Sequence, residues 1–135
     1  NKFDFVVLTM QEEVARRISA PAGGRSYGAI SVFVQFYYNA EIVKFVSRKC
    51  FFPVPNVDSC IVRLKKRELP NLNVPVEFLF KVVRLGFSQR RKMLRNTLNI
   101  FSGLDNVTID LSRRPETLTI DEFCVLAEEL RQCRT

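Results

Sequence analysis

Two prolines two residues apart, Pro53 and Pro55, stand between an aromatic pair, Phe51-Phe52, and an apolar run that begins at Val57. Each pyrrolidine ring fixes its own φ at about −65° and pushes the residue before it into extended backbone, so Phe52 and Val54 cannot enter a helix. The segment is therefore a stiff loop. The run Val57-Asp58-Ser59-Cys60-Ile61-Val62-Arg63-Leu64 is β-branched and apolar on both alternating faces, which predicts a strand inside a covered sheet, ending near Lys65. A chain with this pair of features holds aromatic rings at the end of a sheet, where they can meet a flat ligand.

Around that loop the periodicity reads as α+β. Phe3 to Thr9 is continuously apolar, as in a buried parallel-type strand, and Gln11 to Ser19 changes to helical spacing with Val14 and Ile18 four apart. Gly28 to Tyr38 is long and apolar all round, which fits a buried helix, and Glu41 to Val46 is a short strand. Strand character ends at Lys65-Lys66-Arg67. Pro70, Asn71, Asn73 and Pro75 then mark a linker, residues 68–75, between an α/β part, 1–67, and a wholly helical part, 76–135. Helices are expected at Val76 to Leu85, Gln89 to Phe101 and Ile120 to Cys133. The last is signalled by a capping box of Thr119 and Glu122, a hydrophobic staple of Leu118 and Phe123, and an apolar face of Phe123, Leu126, Ala127 and Leu130.

Composition narrows the chemistry. The sequence has no histidine, which removes the commonest general base, and its four cysteines form no C-x-x-C pair, so no metal site is expected. No apolar stretch approaches the roughly 20 residues that span a bilayer, and no signal-peptide pattern is present; a cytoplasmic protein without membrane contact is expected. The first residue is Asn1 and it opens directly into an apolar run, which reads as a piece of a longer chain.

Charge is placed unevenly. Residues 1–104 hold 17 Lys/Arg and 7 Asp/Glu, whereas residues 105–135 hold 4 and 7, within a total of +7. Such clustering points to a polyanion. It is densest in Phe87-Ser88-Gln89-Arg90-Arg91-Lys92-Met93-Leu94-Arg95-Asn96, where Arg90, Arg91, Lys92 and Arg95, with Arg84 before them, bring five cations and no acid. Phosphate is the natural ligand for this set. The competing reading is that these cations pair with the acidic C-terminal segment through Glu116, Glu128 or Glu129. Arg63, Lys65, Lys66 and Arg67, at the end of the strand after the loop, are further candidates for phosphate contact.

These blocks, in this order, resemble the rRNA adenine N6-dimethyltransferase family, which dimethylates two adjacent adenosines near the 3′ end of small-subunit rRNA. The resemblance rests on Gln11-Glu12-Glu13-Val14-Ala15 with Arg17, Tyr27-Gly28 with Ser31-Val32, Phe51-Phe52-Pro53 through Val57-Asp58-Ser59 with Val62-Arg63-Leu64, the Phe87 to Asn96 block, and Arg114-Pro115-Glu116 with Leu118. The related erythromycin-resistance methyltransferases share the aromatic-proline loop.

The resemblance implies a fold and a division of labour. The chain would be the last three strands and flanking helices of a Rossmann-like methyltransferase sheet, followed by an all-α C-terminal domain that binds rRNA. Phe51 would stack on the target adenine, with core packing as its alternative, Phe52 would favour core packing, and Pro53 and Pro55 would set the loop's shape. The family's glycine-rich S-adenosylmethionine loop, its ribose-binding acid and its Asn-Leu-Pro-Tyr motif do not occur in this sequence. S-adenosylmethionine is thus expected on a full-length enzyme and not on this chain alone, which should be inactive. The implied partner is small-subunit rRNA or a pre-30S particle. The Phe3 to Thr9 strand would lie at one edge of the sheet, inviting self-association or a missing N-terminal segment. The alternatives are a stand-alone RNA-binding or ribosome-assembly module, or a helix-turn-helix DNA binder built on Gln89 to Phe101, which the preceding strands disfavour.

Overall fold

The computed structural model describes residues 4–89 and 91–133; Phe3 and Arg90, both candidates from the sequence, lie outside them. In chain order the elements are β1 (Phe5–Gln11), α1 (Glu12–Ser19), α2 (Ala29–Tyr37), β2 (Tyr38–Val46), β3 (Ser59–Lys66), α3 (Val76–Gly86), α4 (Leu94–Thr97) and α5 (Ile120–Cys133), with short 3-10 turns at Arg48–Cys50, Leu104–Asn106 and Pro115–Thr117. The three strands form one sheet in the order β1-β3-β2, with β3 antiparallel to both neighbours. The β2–β3 register shifts by one residue between Ile42 and Lys44, a β-bulge.

The strand after the aromatic-proline loop is the central one, as its apolar pattern suggests. Cys60 and Val62 are fully buried against Ala15 and Ile18 of α1, with Met10, Ile42 and Leu64 packed around them. Cover reaches only this face of β3; Arg63 and Lys65, which alternate with the buried residues, are exposed. β1 departs further from expectation. It sits at the sheet edge, as the resemblance implies, but it is antiparallel to β3, and Phe5, Val6, Val7 and Leu8 are all exposed where the apolar run predicts burial. Successive strand residues point to opposite faces, so both faces of β1 are open in addition to its outer edge. A strand apolar on both faces has the composition of an interior strand, yet here it holds an edge position.

A second, larger core joins α2 to the helices beyond residue 75. Tyr27, Val32 and Phe36 cluster with Leu79, Val82 and Val83 of α3 and with Phe123, Leu126, Ala127 and Leu130 of α5. Rings link these parts: Tyr27 meets Phe87 edge-on at 6.0 Å, Phe87 meets Phe123 at 5.9 Å, and Phe36 meets Phe80 at 5.9 Å. Each fully buried side chain of this size contributes roughly 1.5–3 kcal/mol. Gly86 closes α3 where a Cβ would come 3.1 Å from Leu94 Cδ2, a tight contact that the Leu94 side chain would have to yield to by a few tenths of an ångström.

One helix is much shorter than its sequence spacing predicts. Among the described residues of Gln89 to Phe101 only Leu94–Thr97 is α-helical, preceded by extended Met93. The amides that a longer helix would turn back on its own carbonyls are spent elsewhere: Leu94 N–H donates to Arg113 O and Arg95 N–H to Leu111 O, each at 3.0 Å. Tertiary hydrogen bonding has displaced the helix, although Leu94, Leu98 and Phe101 are still the residues buried.

The start of α5 follows the capping-box reading. Thr119 N–H donates to Glu122 Oε1 at 3.0 Å and Glu122 N–H to Thr119 Oγ1 at 3.2 Å, while Arg113 reaches the same carboxylate from Nη2 at 3.1 Å. Hydrogen bonds from Arg113, with the Thr119 N–H, hold the Glu122 carboxyl down at about 2. Since the folded-state value lies below the ordinary 4.5, this cluster stabilises the fold above that pH, and the contribution is lost as pH falls from there towards 2. Thr119→Ala is expected to lower stability by about 1 kcal/mol at neutral pH. Arg113→Ala should shrink the loss of urea midpoint between neutral pH and about pH 3; denaturation series at the two pH values check both.

Candidate nucleic-acid interface

The aromatic-proline loop leaves β2 through the 3-10 turn at Arg48–Cys50, which is capped by Ser47 Oγ accepting from Lys49 N–H at 3.2 Å. From Phe51 to Val57 every residue is exposed, and the Phe52–Pro53 peptide bond is cis. Phe51 keeps 39% of its surface open and Phe52 keeps 99%. The core packing expected of Phe52 is therefore not found: among the described residues nothing lies over the loop for that ring to enter, and it projects into solvent. Pro53 and Pro55 lie in the exposed, non-helical segment that their rings dictate.

The feet of the loop are tied together. Asp58 Oδ1 accepts from Arg48 N–H at 2.8 Å and from Arg48 Nε at 3.1 Å, and Arg48 Nη1 donates to Asn56 O at 2.8 Å. Asp58 O in turn accepts from Glu12 N–H at 3.0 Å, which joins the loop to the start of α1. The Arg48 backbone N–H, and then its guanidinium, hold the Asp58 carboxyl below the ordinary carboxylate value.

Behind these feet is a cavity of about 360 Å³ walled by Gln11, Glu12, Arg16, Arg48, Val57 and Asp58. It shares Glu13 and Ser26 with a second cavity, about 540 Å³, whose other walls include Arg17, Arg25, Gly28, Ile30 and Phe87. Charge differs between the two. In the first, Arg16 pairs with Glu12 and Arg48 with Asp58, whereas the second has Arg17 and Arg25 beside the single carboxylate of Glu13, which Arg17 holds at 2.8 Å. Val57, the last residue of the aromatic loop, lines the first cavity, and Phe87, the first residue of the basic block, lines the second.

The basic residues are dispersed in their bonding as well as in sequence. Arg95 pairs with Asp105 at 2.9 Å and Arg63 with Glu41 at 2.9 Å, both on the surface, and Arg67 donates to Gln35 O at 3.0 Å. Arg84, Arg91, Lys92, Lys65 and Lys66 are exposed, and among the described residues none of them forms an ion pair. Pairing of the basic block with the acidic segment 105–135 occurs through Arg95 and Asp105, and among the described residues not through Glu116, Glu128 or Glu129. Glu128 instead accepts from Asn73 N–H, and Glu129 accepts from Thr108 N–H and Oγ1. Glu116 turns its Oε1 into the interior.

Among the described residues Gly28 is the one glycine that lines either cavity. Among the described residues no three His, Cys, Asp or Glu side chains gather as metal ligands. Burial pushes the Cys124 thiol up to about 11 and raises that of Cys60, which makes both poor nucleophiles. Among the described residues no helix is long and apolar enough to cross a membrane. Sequence reasoning missed Arg48, Arg25, Ser26 and the bonding role of Asp58. Asp58 and Arg48 are ten residues apart across a loop, and no periodicity brings them together.

Comparison with known proteins gives one consistent result. Residues 2–132 match the family model described as Ribosomal RNA adenine dimethylase. Proteins named Ribosomal RNA small subunit methyltransferase A are similar to the chain: that of Anoxybacillus flavithermus is 46% identical over 138 residues, covering 93% of this chain and 47% of the relative. That of Geobacillus sp. is 42% identical, covering 93% and 48%. The chain thus spans about half the length of the curated relatives it matches. Among solved structures, the crystal structure of a dimethyladenosine transferase from Plasmodium falciparum superposes with a TM-score of 0.79 at 24% identity, over 98% of this chain and 58% of that one. The 23S rRNA methyltransferase ErmE superposes at 0.63 and 24%, over 96% and 55%. At these identities the two structures support the fold, a partial Rossmann-like methyltransferase sheet with helices.

The segment around Leu94–Thr97 separates packing from surface charge. Leu94→Ala, at a fully buried site, should cost roughly 2–5 kcal/mol. Arg91→Glu should stay within about 0.5 kcal/mol of the parent; paired urea titrations check this.

Proposed function

The chain belongs to the ribosomal RNA adenine dimethylase family, and from that premise we propose that it is the C-terminal portion of an S-adenosylmethionine-dependent rRNA adenine N6-dimethyltransferase acting on two adjacent adenosines of small-subunit rRNA. The observation that carries this reading is the aromatic-proline loop, held at its feet and bare at its tip, with Phe51 open on one side. An exposed ring on a stiff loop is suited to stacking on an unpaired base, an interaction worth roughly 1–3 kcal/mol. Phe51 is assigned that role, with Phe52, Pro53 and Pro55 shaping the loop. Methyl transfer to an exocyclic amine needs a positioned nitrogen lone pair and a desolvated donor, so a chain without histidine is compatible with it.

The cofactor supplies the electrophilic methyl group, and its site is assigned to the part of the relatives that this chain does not span; alone, the chain is expected to be inactive. Residues 1–67 are assigned to the catalytic domain, 68–75 to a linker and 76–135 to a helical rRNA-binding domain. The exposed cations Arg84, Arg91, Lys92, Lys65 and Lys66 are assigned to phosphates, with Arg63, Arg67, Arg90 and Arg95 beside them in sequence. The partner assigned to it is small-subunit rRNA or a pre-30S particle, in the cytoplasm.

Binding of a small-subunit rRNA 3′-end fragment, followed over a salt series, tests the assignment. Arg91→Glu with Lys92→Glu should weaken binding and flatten the slope of log K against log salt by roughly 0.7–0.9 for each phosphate no longer neutralised. Phe51→Ala should weaken binding about fivefold or more with the salt slope unchanged. Parent-like affinity and slope in the charge-reversed protein would remove the basic block from the interface.

The open edge of β1 calls for a strand neighbour, and we propose that in the longer proteins of this family the N-terminal half supplies it. Without that half the chain should self-associate through Phe5–Leu8. Sedimentation should then show oligomers that dissociate when the N-terminal half is added. A monodisperse monomer with freely exchanging amides in β1 would oppose the proposal.

A further inference from the structure

We propose that Arg48 and Asp58 form a clasp that sets the direction in which the 51–57 loop offers Phe51, which makes both of them positioning residues for the base. The choice of a base as ligand rests on the function proposed above; the clasp itself rests on geometry alone. The loop cannot hold its own direction, because all seven of its residues are exposed and none contributes to either apolar core. Among the described residues, the bond from Arg48 Nη1 to Asn56 O is the one hydrogen bond that segment 52–57 receives. Everything else that fixes the loop is at its feet.

At those feet one arginine performs three tasks. Its backbone N–H and Nε both reach Asp58 Oδ1, and its Nη1 reaches Asn56 O, so a planar guanidinium spans the descending arm of the loop while the ascending arm is bound through the main chain. Asp58 passes the constraint on, since its carbonyl accepts from Glu12 N–H at the head of α1. Both side chains also wall the 360 Å³ cavity behind the loop, so their placement fixes the boundary between that cavity and the aromatic tip. The pair is about half exposed on each side, 47% and 37%. Exposed ion pairs add little to global stability. An exposed pair that closes a loop bare of other contacts matters for geometry.

The absence of tryptophan from the sequence provides the test, because Phe51→Trp places a single indole at the tip, which is excited selectively over the three tyrosines. Time-resolved anisotropy of that indole in the free protein reports loop order on the nanosecond scale, and its quenching by the rRNA 3′-end fragment reports stacking. In the Phe51→Trp background, Arg48→Ala and Asp58→Ala should each increase the fast-depolarising fraction and weaken the RNA affinity about three- to tenfold, the ordering cost of one or two side chains. Thermal midpoints should remain near that of the Phe51→Trp protein.

Arg48→Lys, which keeps the main-chain bond and the charge but loses the guanidinium span, should loosen the loop nearly as much as Arg48→Ala. Asp58→Asn, which keeps an acceptor for the Arg48 N–H, should fall between Asp58→Ala and the Phe51→Trp protein, and it serves if the alanine variants do not fold. Unchanged anisotropy in Arg48→Lys and Asp58→Asn would overturn the clasp. So would a lowered midpoint with no change in loop order below the transition. A loosened loop, in a protein whose introduced indole is never quenched by RNA before the clasp is cut, would uphold the clasp and defeat the base-stacking reading instead.

Discussion

The fold depends on the contact between α2 and the helices that follow residue 75. Val32 and Phe36 on one face of α2, with Tyr27 just before it, share a buried cluster with α3 and α5. Two other constraints act through this contact. Ser31, the one fully buried polar side chain among the described residues, accepts from Gly28 N–H and donates to the carbonyl of Arg17, tying α2 to α1. Gln35 adds bonds from its Nε2 to the carbonyls of Ile18 and Ala20. Helix α2 is therefore held by polar bonds on the sheet side and by apolar packing on the helical side. The sheet, through α1, inherits its position relative to the basic block from this one element.

That arrangement explains how a loop with no packing of its own can still be aimed. The apolar cores fix β3 and α1; Asp58 and Arg48 transmit their positions to the loop, and the rings at the tip stay unburied. A ring packed into a core could not also offer a face to a base. Exposure at Phe51 and Phe52 is the condition for the role assigned to the loop, and polar bonding at its feet is what substitutes for packing.

Much of this is legible in the sequence wherever one periodicity dominates. The spacing of Phe123, Leu126, Ala127 and Leu130, with Thr119 and Glu122 ahead of them, specifies α5 without help from elsewhere, and Pro53 and Pro55 exclude helix locally. The misreadings arise where distant residues decide. The 89–101 helix is cut short because carbonyls of Leu111 and Arg113 take its amides. Apolar character suggests a core position for Phe52, but burial needs a covering element, and among the described residues none lies over the loop. β1 has the composition of a buried, parallel-type strand but is antiparallel and exposed; its edge position follows from the resemblance, not from any local pattern. Arg95 belongs to the basic block in sequence, yet it finds Asp105, brought near by the turn at Leu104–Asn106.

The bulge in β2 has a bearing on the loop that follows it. One extra residue between Ile42 and Lys44 sets the rest of the strand back by one position, so that Lys44 faces Ile61, Phe45 faces Cys60 and Val46 faces Ser59. Phe45 thereby turns to the α1 side, where Arg16 lies over its ring at 5.0 Å. The same setback, about 3.3 Å along the sheet, decides where the chain leaves β2. With Val46 opposite Ser59, the next residues come level with Asp58, and Arg48 arrives within reach of its carboxylate. In a strand of uninterrupted phase the arginine would overshoot its partner by a residue. The irregularity acts as a length correction, matching the end of one strand to the foot of the loop it must hold.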